Sequence, residues 1–161
     1  MSRLFTVGLF TLLSMSPQAQ VNDRRQETAH VVVTAQPLAA PVAAGARVAL
    51  RLDVEPKAKM HVYSPEQKDY IPVSLTIDKN PAITAQPAVF PKAETYFFKA
   101  LEETQLVYSK PFQIVENVTI ATSVKAGEIV TVKGTLKYQA CDESVCYRPQ
   151  EVSVSWQLTR R

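Results

Sequence analysis

Two segments near the C-terminus alternate apolar and polar residues, and they leave the chain few ways to fold. Ile129-Val130-Thr131-Val132-Lys133-Gly134-Thr135-Leu136-Lys137-Tyr138 is the first, and Val152-Ser153-Val154-Ser155-Trp156-Gln157-Leu158 is the second. A period of two is the pattern of a strand buried on one face. The stretch between them, Tyr138-Gln139-Ala140-Cys141-Asp142-Glu143-Ser144-Val145-Cys146-Tyr147-Arg148-Pro149, holds both cysteines of the chain. Cys141 and Cys146 therefore sit at or near the neck of a hairpin. If they face each other as a non-hydrogen-bonded antiparallel pair, their Cα atoms lie about 4.5 Å apart, within the roughly 4.4–6.8 Å that a disulfide spans. A bridge can then form and break with little backbone movement.

Three readings of the pair are open on these residues alone. One is a structural staple, as in many exported domains. Against it, closing so short a loop removes little unfolded-state entropy, about 2–3 kcal/mol at best, which makes an inefficient staple for a chain of this size. The second is thiol–disulfide exchange, in which a thiolate attacks a disulfide sulfur and a second cysteine resolves the mixed disulfide. The third is a zinc site completed by His30 and His61, but the C-x4-C spacing is loose and the two histidines are far apart in sequence.

The cysteine stretch resembles the active-site hairpin of the amino-terminal periplasmic domain of DsbD, the thiol:disulfide interchange protein, through Tyr138-Gln139-Ala140-Cys141, Cys146 and Pro149. Two further blocks are similar to that family. Met60-His61-Val62-Tyr63-Ser64 matches its short aromatic strand, ahead of the apolar Val73-Ser74-Leu75-Thr76-Ile77, and Ala93-Glu94-Thr95-Tyr96-Phe97-Phe98-Lys99 falls where it carries a cap loop. The resemblance covers roughly residues 28–160. It implies an immunoglobulin-like sandwich, thioredoxin-like periplasmic partners and no cofactor. It also implies roles: Cys146 as the nucleophile that forms the mixed disulfide, Cys141 as the resolving thiol, and Tyr96 or Phe97 as the aromatic shield on the cap. Glu94 stands near the family's acidic cap positions, whereas Thr95 departs from them. Tyr63 matches a tyrosine packed near the cysteines, and His61 departs from one. Without the resemblance, Tyr96-Phe97-Phe98 reads as a buried strand and His61 as a histidine with no role. Asp142 and Glu143 are placed to raise the Cys141 thiol pKa, and Arg148 to lower that of Cys146.

The chain opens on Ser2-Arg3, an apolar run from Leu4 to Met15, and Ser16-Pro17-Gln18-Ala19-Gln20, the pattern of a secretory signal peptide cleaved near Ala19. Residues 1–19 are read as that signal, residues 20–28 as a flexible lead-in, and residues 29–161 as one domain. The formal net charge of +3 is spread along the chain, so no nucleic-acid surface is expected. Strands are expected at His30–Thr34, Arg47–Val54, Met60–Ser64 and Val73–Ile77, with a weaker edge strand over Ile83–Phe90 that Pro87 interrupts. Gln113–Val115 and Val118–Ala121 read as a further strand pair. The best helical candidate is only Ala100-Leu101-Glu102-Glu103. Four glycines and eleven prolines suit an all-β chain with irregular connections.

The expectation is thus a monomeric, periplasmic, all-β immunoglobulin-like sandwich with a cysteine-bearing hairpin. It would relay reducing equivalents through Cys141 and Cys146 from a membrane or thioredoxin-like donor to exported acceptors. A separate membrane protein would bring the electrons across the membrane. The competing expectation is a secreted binding or adhesion module whose disulfide is purely structural.

Overall fold

The computed structural model describes residues 24–99 and 102–161. The signal-peptide reading of residues 1–19 lies outside them, as do Ala100 and Leu101 of the helical candidate. Among the described residues there is no helix, and therefore none long and apolar enough to cross a membrane.

Twelve strands follow in order: β1 (Arg25–Glu27), β2 (Val31–Ala35), β3 (Arg47–Pro56), β4 (His61–Tyr63), β5 (Ser74–Ile77) and β6 (Ile83–Ala85). The second half supplies β7 (Glu94–Phe98), β8 (Glu103–Tyr108), β9 (Phe112–Ile120), β10 (Ile129–Tyr138), β11 (Ala140–Cys141) and β12 (Gln150–Thr159). One sheet runs β1-β2-β3-β9-β6, a second β12-β10-β5 and a third β11-β4-β8-β7, with antiparallel pairing between all neighbours. The fold is an immunoglobulin-like β-sandwich.

Its core follows from the alternation. Val31, Val33, Leu50, Leu52, Val54, Ile114, Val118 and Ile120 from the first sheet meet Val130, Val132, Leu136, Tyr138, Val152, Val154, Trp156 and Leu158 from the second in one cluster. Trp156 buries its indole and still satisfies its donor, giving Nε1–H to the Arg51 carbonyl across the sandwich at 3.1 Å. The β10–β12 ladder is in register from Ile129↔Thr159 to Tyr138↔Gln150. On its other side β10 takes β5, and Gly134 is what permits the approach: a Cβ there would lie 2.8 Å from the Thr76 carbonyl oxygen.

Two segments differ from the sequence expectation. The charged lead-in contains a strand, since Arg25, Gln26 and Glu27 pair with Thr34, Val33 and Val32. The expected pair Gln113–Val115 and Val118–Ala121 is one continuous strand, because Glu116 and Asn117 carry the ladder on against Leu50 and Ala49. Glu116 belongs to the inward-facing row of β9 and is only 4% exposed, which the sequence pattern alone disguises as a polar break. The Ile83–Phe90 expectation is met by β6 at its start and an isolated bridge between Val89 and Val115.

Candidate functional site

The hairpin does not end where its ladder ends. After Tyr138 the chain leaves the β10–β12 pair, and two residues later Ala140 and Cys141 add to the edge of the third sheet opposite Val62 and His61. Tyr138 fixes this departure from below: it is fully buried, and its hydroxyl donates to Gln150 Oε1 at 2.6 Å and shares a 2.8 Å hydrogen bond with Thr28. The loop then returns so that Cys146 faces Cys141, with a Cα–Cα separation of 4.0 Å, and the two are joined by a disulfide.

Asp142 shapes the return. Its Oδ1 accepts from the backbone N–H groups of Ser144 (2.7 Å) and Val145 (2.8 Å), and its Oδ2 accepts from the Tyr147 hydroxyl (2.9 Å). This is an Asx turn, the local chemistry that aspartate brings to tight loops. Those donors hold the Asp142 carboxyl below the usual carboxylate range. Tyr147 in turn stacks on His30 at 4.1 Å between ring centroids. His30 thus braces the loop.

The two sulfurs live in different surroundings. Cys141 is 1% exposed, whereas Cys146 is exposed to solvent. Beneath them the Tyr63 hydroxyl lies 3.4 Å from Cys141 Sγ and 3.5 Å from Cys146 Sγ. Disulfide sulfurs carry no proton, so the phenol is the donor. Tyr63 is 1% exposed and its pKa is pushed up to about 12, first by burial and then by Tyr70 and Glu103, so it stays protonated at any physiological pH. Its ring stacks on Tyr70 at 4.3 Å. The Tyr70 hydroxyl donates a hydrogen bond to Glu103 Oε1. Gln105 Nε2 donates to both, at 3.2 Å to the Tyr70 hydroxyl and 2.6 Å to Glu103 Oε1. His61, the cross-strand partner of Cys141, is buried, and that burial pushes its pKa down from the ordinary value against the opposing pull of Asp142.

The cap is a β-hairpin edge rather than a loop, with β7 paired to β8. Tyr96 packs on the small cluster of Tyr63, Val107 and Cys141 and approaches His61 to 5.1 Å. Phe97, the alternative shield, falls on the opposite face of the strand and is 60% exposed. Phe98, on the same face as Tyr96, lines the cavity beside the bridge with Tyr63, Tyr70 and Gln105. The period of two could have made that choice, since it puts Tyr96 and Phe98 on one side. Glu94 is held at the far end of β7, its carboxylate accepting from Ser109 Oγ at 3.0 Å and from Lys110 Nζ at 3.1 Å. Neither it nor Phe97 belongs to the surroundings of the sulfurs. Tyr70 and Gln105 carried no sequence signal, because their meeting joins positions that only the fold brings together.

An immunoglobulin-like sandwich that presents one buried and one exposed cysteine in a hairpin disulfide is a form suited to thiol–disulfide exchange. The chain belongs to the family described as thiol:disulfide interchange protein DsbD, N-terminal, whose model matches residues 28–157. Two solved structures are similar to it. The N-terminal periplasmic domain of ScsB from Proteus mirabilis has a TM-score of 0.55 at 12% identity, with 83% of this chain and 49% of that one covered, so the chain spans about half of that structure. The DsbD N-terminal domain of Neisseria meningitidis, in its reduced form, has a TM-score of 0.46 at 20% identity over 70% of this chain and 78% of that one. No curated protein matches the sequence.

Proposed function

We propose that Cys141 and Cys146 cycle between disulfide and dithiol in the periplasm, passing reducing equivalents from a membrane or thioredoxin-like donor to exported acceptor proteins. The observation that carries this is the contrast in exposure, Cys146 open and Cys141 1% exposed. In the charging step a donor thiolate attacks Cys146 Sγ, the Cys141–Cys146 bond breaks, and Cys141 leaves as a thiolate next to the Tyr63 hydroxyl. A second donor thiol then attacks its own sulfur in the mixed disulfide and releases reduced Cys146. In the discharging step the Cys146 thiolate attacks an acceptor disulfide, and Cys141 attacks Cys146 to restore the bridge. Each half-cycle moves two electrons and two protons.

The test is trapping. Cys141→Ser, mixed with an oxidised thioredoxin-like protein, accumulates a mixed disulfide through Cys146 because the resolving thiol is gone. Cys146→Ser traps far less. Equal trapping by the two variants overturns the roles, and no trapping by either overturns the exchange reading itself.

A further inference from the structure

The cavity beside the bridge has a volume of about 260 Å³ and is lined by Cys146 and by the rings of Tyr63, Tyr70, Phe98 and His61. Gln105 lines it too, and its amide is unusually constrained. Nε2 is committed to the Tyr70 hydroxyl and to the Glu103 carboxylate. Turning the amide round would set its carbonyl against that carboxylate. Oε1 is therefore left as an acceptor that is buried, in a residue 1% exposed, and without a hydrogen-bond partner among the described residues. An orphan of that kind costs about 1–3 kcal/mol unless something donates to it.

The surrounding charges are of one sign. Hydrogen bonds from the loop backbone hold Asp142, which borders the cavity, in its ionised form, and those from Tyr70 and Gln105 do the same for Glu103 behind it. Burial holds His61 toward its neutral form. No lysine or arginine lines the cavity among the described residues. Aromatic walls, a spare acceptor and a nearby carboxylate suit an organic cation with N–H donors.

We propose that this cavity receives a lysine or arginine side chain that neighbours the reactive cysteine of the partner polypeptide, its N–H donating to Gln105 Oε1. This rests on the exchange reading and adds a partner preference to it. The preference runs against the long-range field, because the chain's formal net charge is +3 and by itself attracts anions.

The probes are blocked dipeptides, acetyl-Cys-Lys-amide, acetyl-Cys-Gln-amide and acetyl-Cys-Glu-amide, reacted with the oxidised protein. The peptide thiolate attacks Cys146 Sγ and the bonding pair of the bridge departs on Cys141 Sγ. A second peptide thiol completes the reduction, yielding the peptide disulfide and the protein dithiol, which takes up the two thiol protons. Rates per thiolate, read by acid quench and alkylation, are expected to be about threefold to tenfold higher for the lysine peptide than for the glutamine peptide. The glutamate peptide is slowest. Asp142→Asn brings the lysine-to-glutamine ratio towards one, and Gln105→Met, an independent variant, does the same. Equal rates for all three peptides, or a fastest glutamate peptide, overturn the cation site and leave the exchange reading standing. No reaction with any of them overturns both. Cysteamine against 2-mercaptoethanol forms the small-molecule arm, and a gain there without one for the lysine peptide overturns the assignment to a polypeptide side chain.

Discussion

Tyr63→Phe removes one oxygen from the site and leaves the ring that stacks on Tyr70. Its effect follows from where the charge goes when the bridge opens. Cys141 is 1% exposed, so a thiolate left on its sulfur has little water, and the Tyr63 hydroxyl at 3.4 Å is a donor already in place. A hydrogen bond to a charged group contributes about 1.5–3 kcal/mol, all of which the leaving thiolate loses in the variant. If the leaving sulfur has a sensitivity comparable to the 0.4–0.5 of the attacking one, about half of that energy enters the barrier. The rate of bridge opening by a small thiol at Cys146 should therefore fall by roughly three- to tenfold. Rapid quenching with an alkylating agent and mass analysis measures it directly. Stability should change by no more than about 1 kcal/mol, because a phenol–disulfide contact is weak in the oxidised state. An unaltered rate in a folded Tyr63→Phe protein refutes the assignment, since the leaving thiolate would then draw its stabilisation from elsewhere.

Other perturbations test other parts of the molecule. Glu116 is 4% exposed with Oε2 unpartnered among the described residues, and burial raises its pKa from 4.5 to about 7. The folded state thus binds this proton more tightly than the unfolded state, so its contribution is fully present below about pH 4.5 and is lost as pH rises to about 7. Glu116→Gln should leave stability near pH 4 nearly unchanged and raise it by up to about 3 kcal/mol at pH 8, measured by urea unfolding at both pH values; parallel pH profiles would contradict this. Phe98→Ala and Tyr96→Ala should each speed alkylation of reduced Cys146, whereas Phe97→Ala, on the opposite face, should not. Gly134→Ala should destabilise the fold by about 1–3 kcal/mol by forcing β5 from β10, read as a lower thermal midpoint. Reduction of the bridge should leave the β-sheet circular dichroism intact at room temperature, since the closed loop is short.

The sandwich was legible in the sequence wherever one face of a strand is buried. Arg47–Pro56, Ile129–Tyr138 and Gln150–Thr159 alternate strictly and form the long strands. It was illegible where a polar residue points inward, as Glu116 does, or where a short polar segment with two charges pairs at an edge, as Arg25–Glu27 does. The site divides in the same way. The cysteines, Tyr63, His61 and Tyr96 lie in matched motifs and converge, whereas Phe97 falls on the other face of β7 by the strand's own alternation and Glu94, on the same face as Tyr96, is tied to Ser109 and Lys110 at the strand's far end. Tyr70, Glu103 and Gln105 gave no signal because their contact is tertiary, joining a loop after β4 to the strand beside the cap.

The placement of the two cysteines is why the proposed exchange can be separated from stability. The main core draws on Tyr138 and Ala140 but not on either cysteine, while Cys141 belongs to a small second cluster with Tyr63 and Val107. Ala140 and Cys141 are adjacent, yet strand alternation sends their side chains to opposite sides of the third sheet, one into the sandwich and one under the cap. A displacement of β7 would therefore disturb an edge strand and the contacts of Tyr96 and Phe98, and none of the inter-sheet packing. Opening the bridge changes the charge on a sulfur whose neighbours are Tyr63 and the cap, so the cost of the chemistry falls on side chains that already hold polar groups. The sandwich holds the geometry on one side of that two-residue strand, and the chemistry runs on the other.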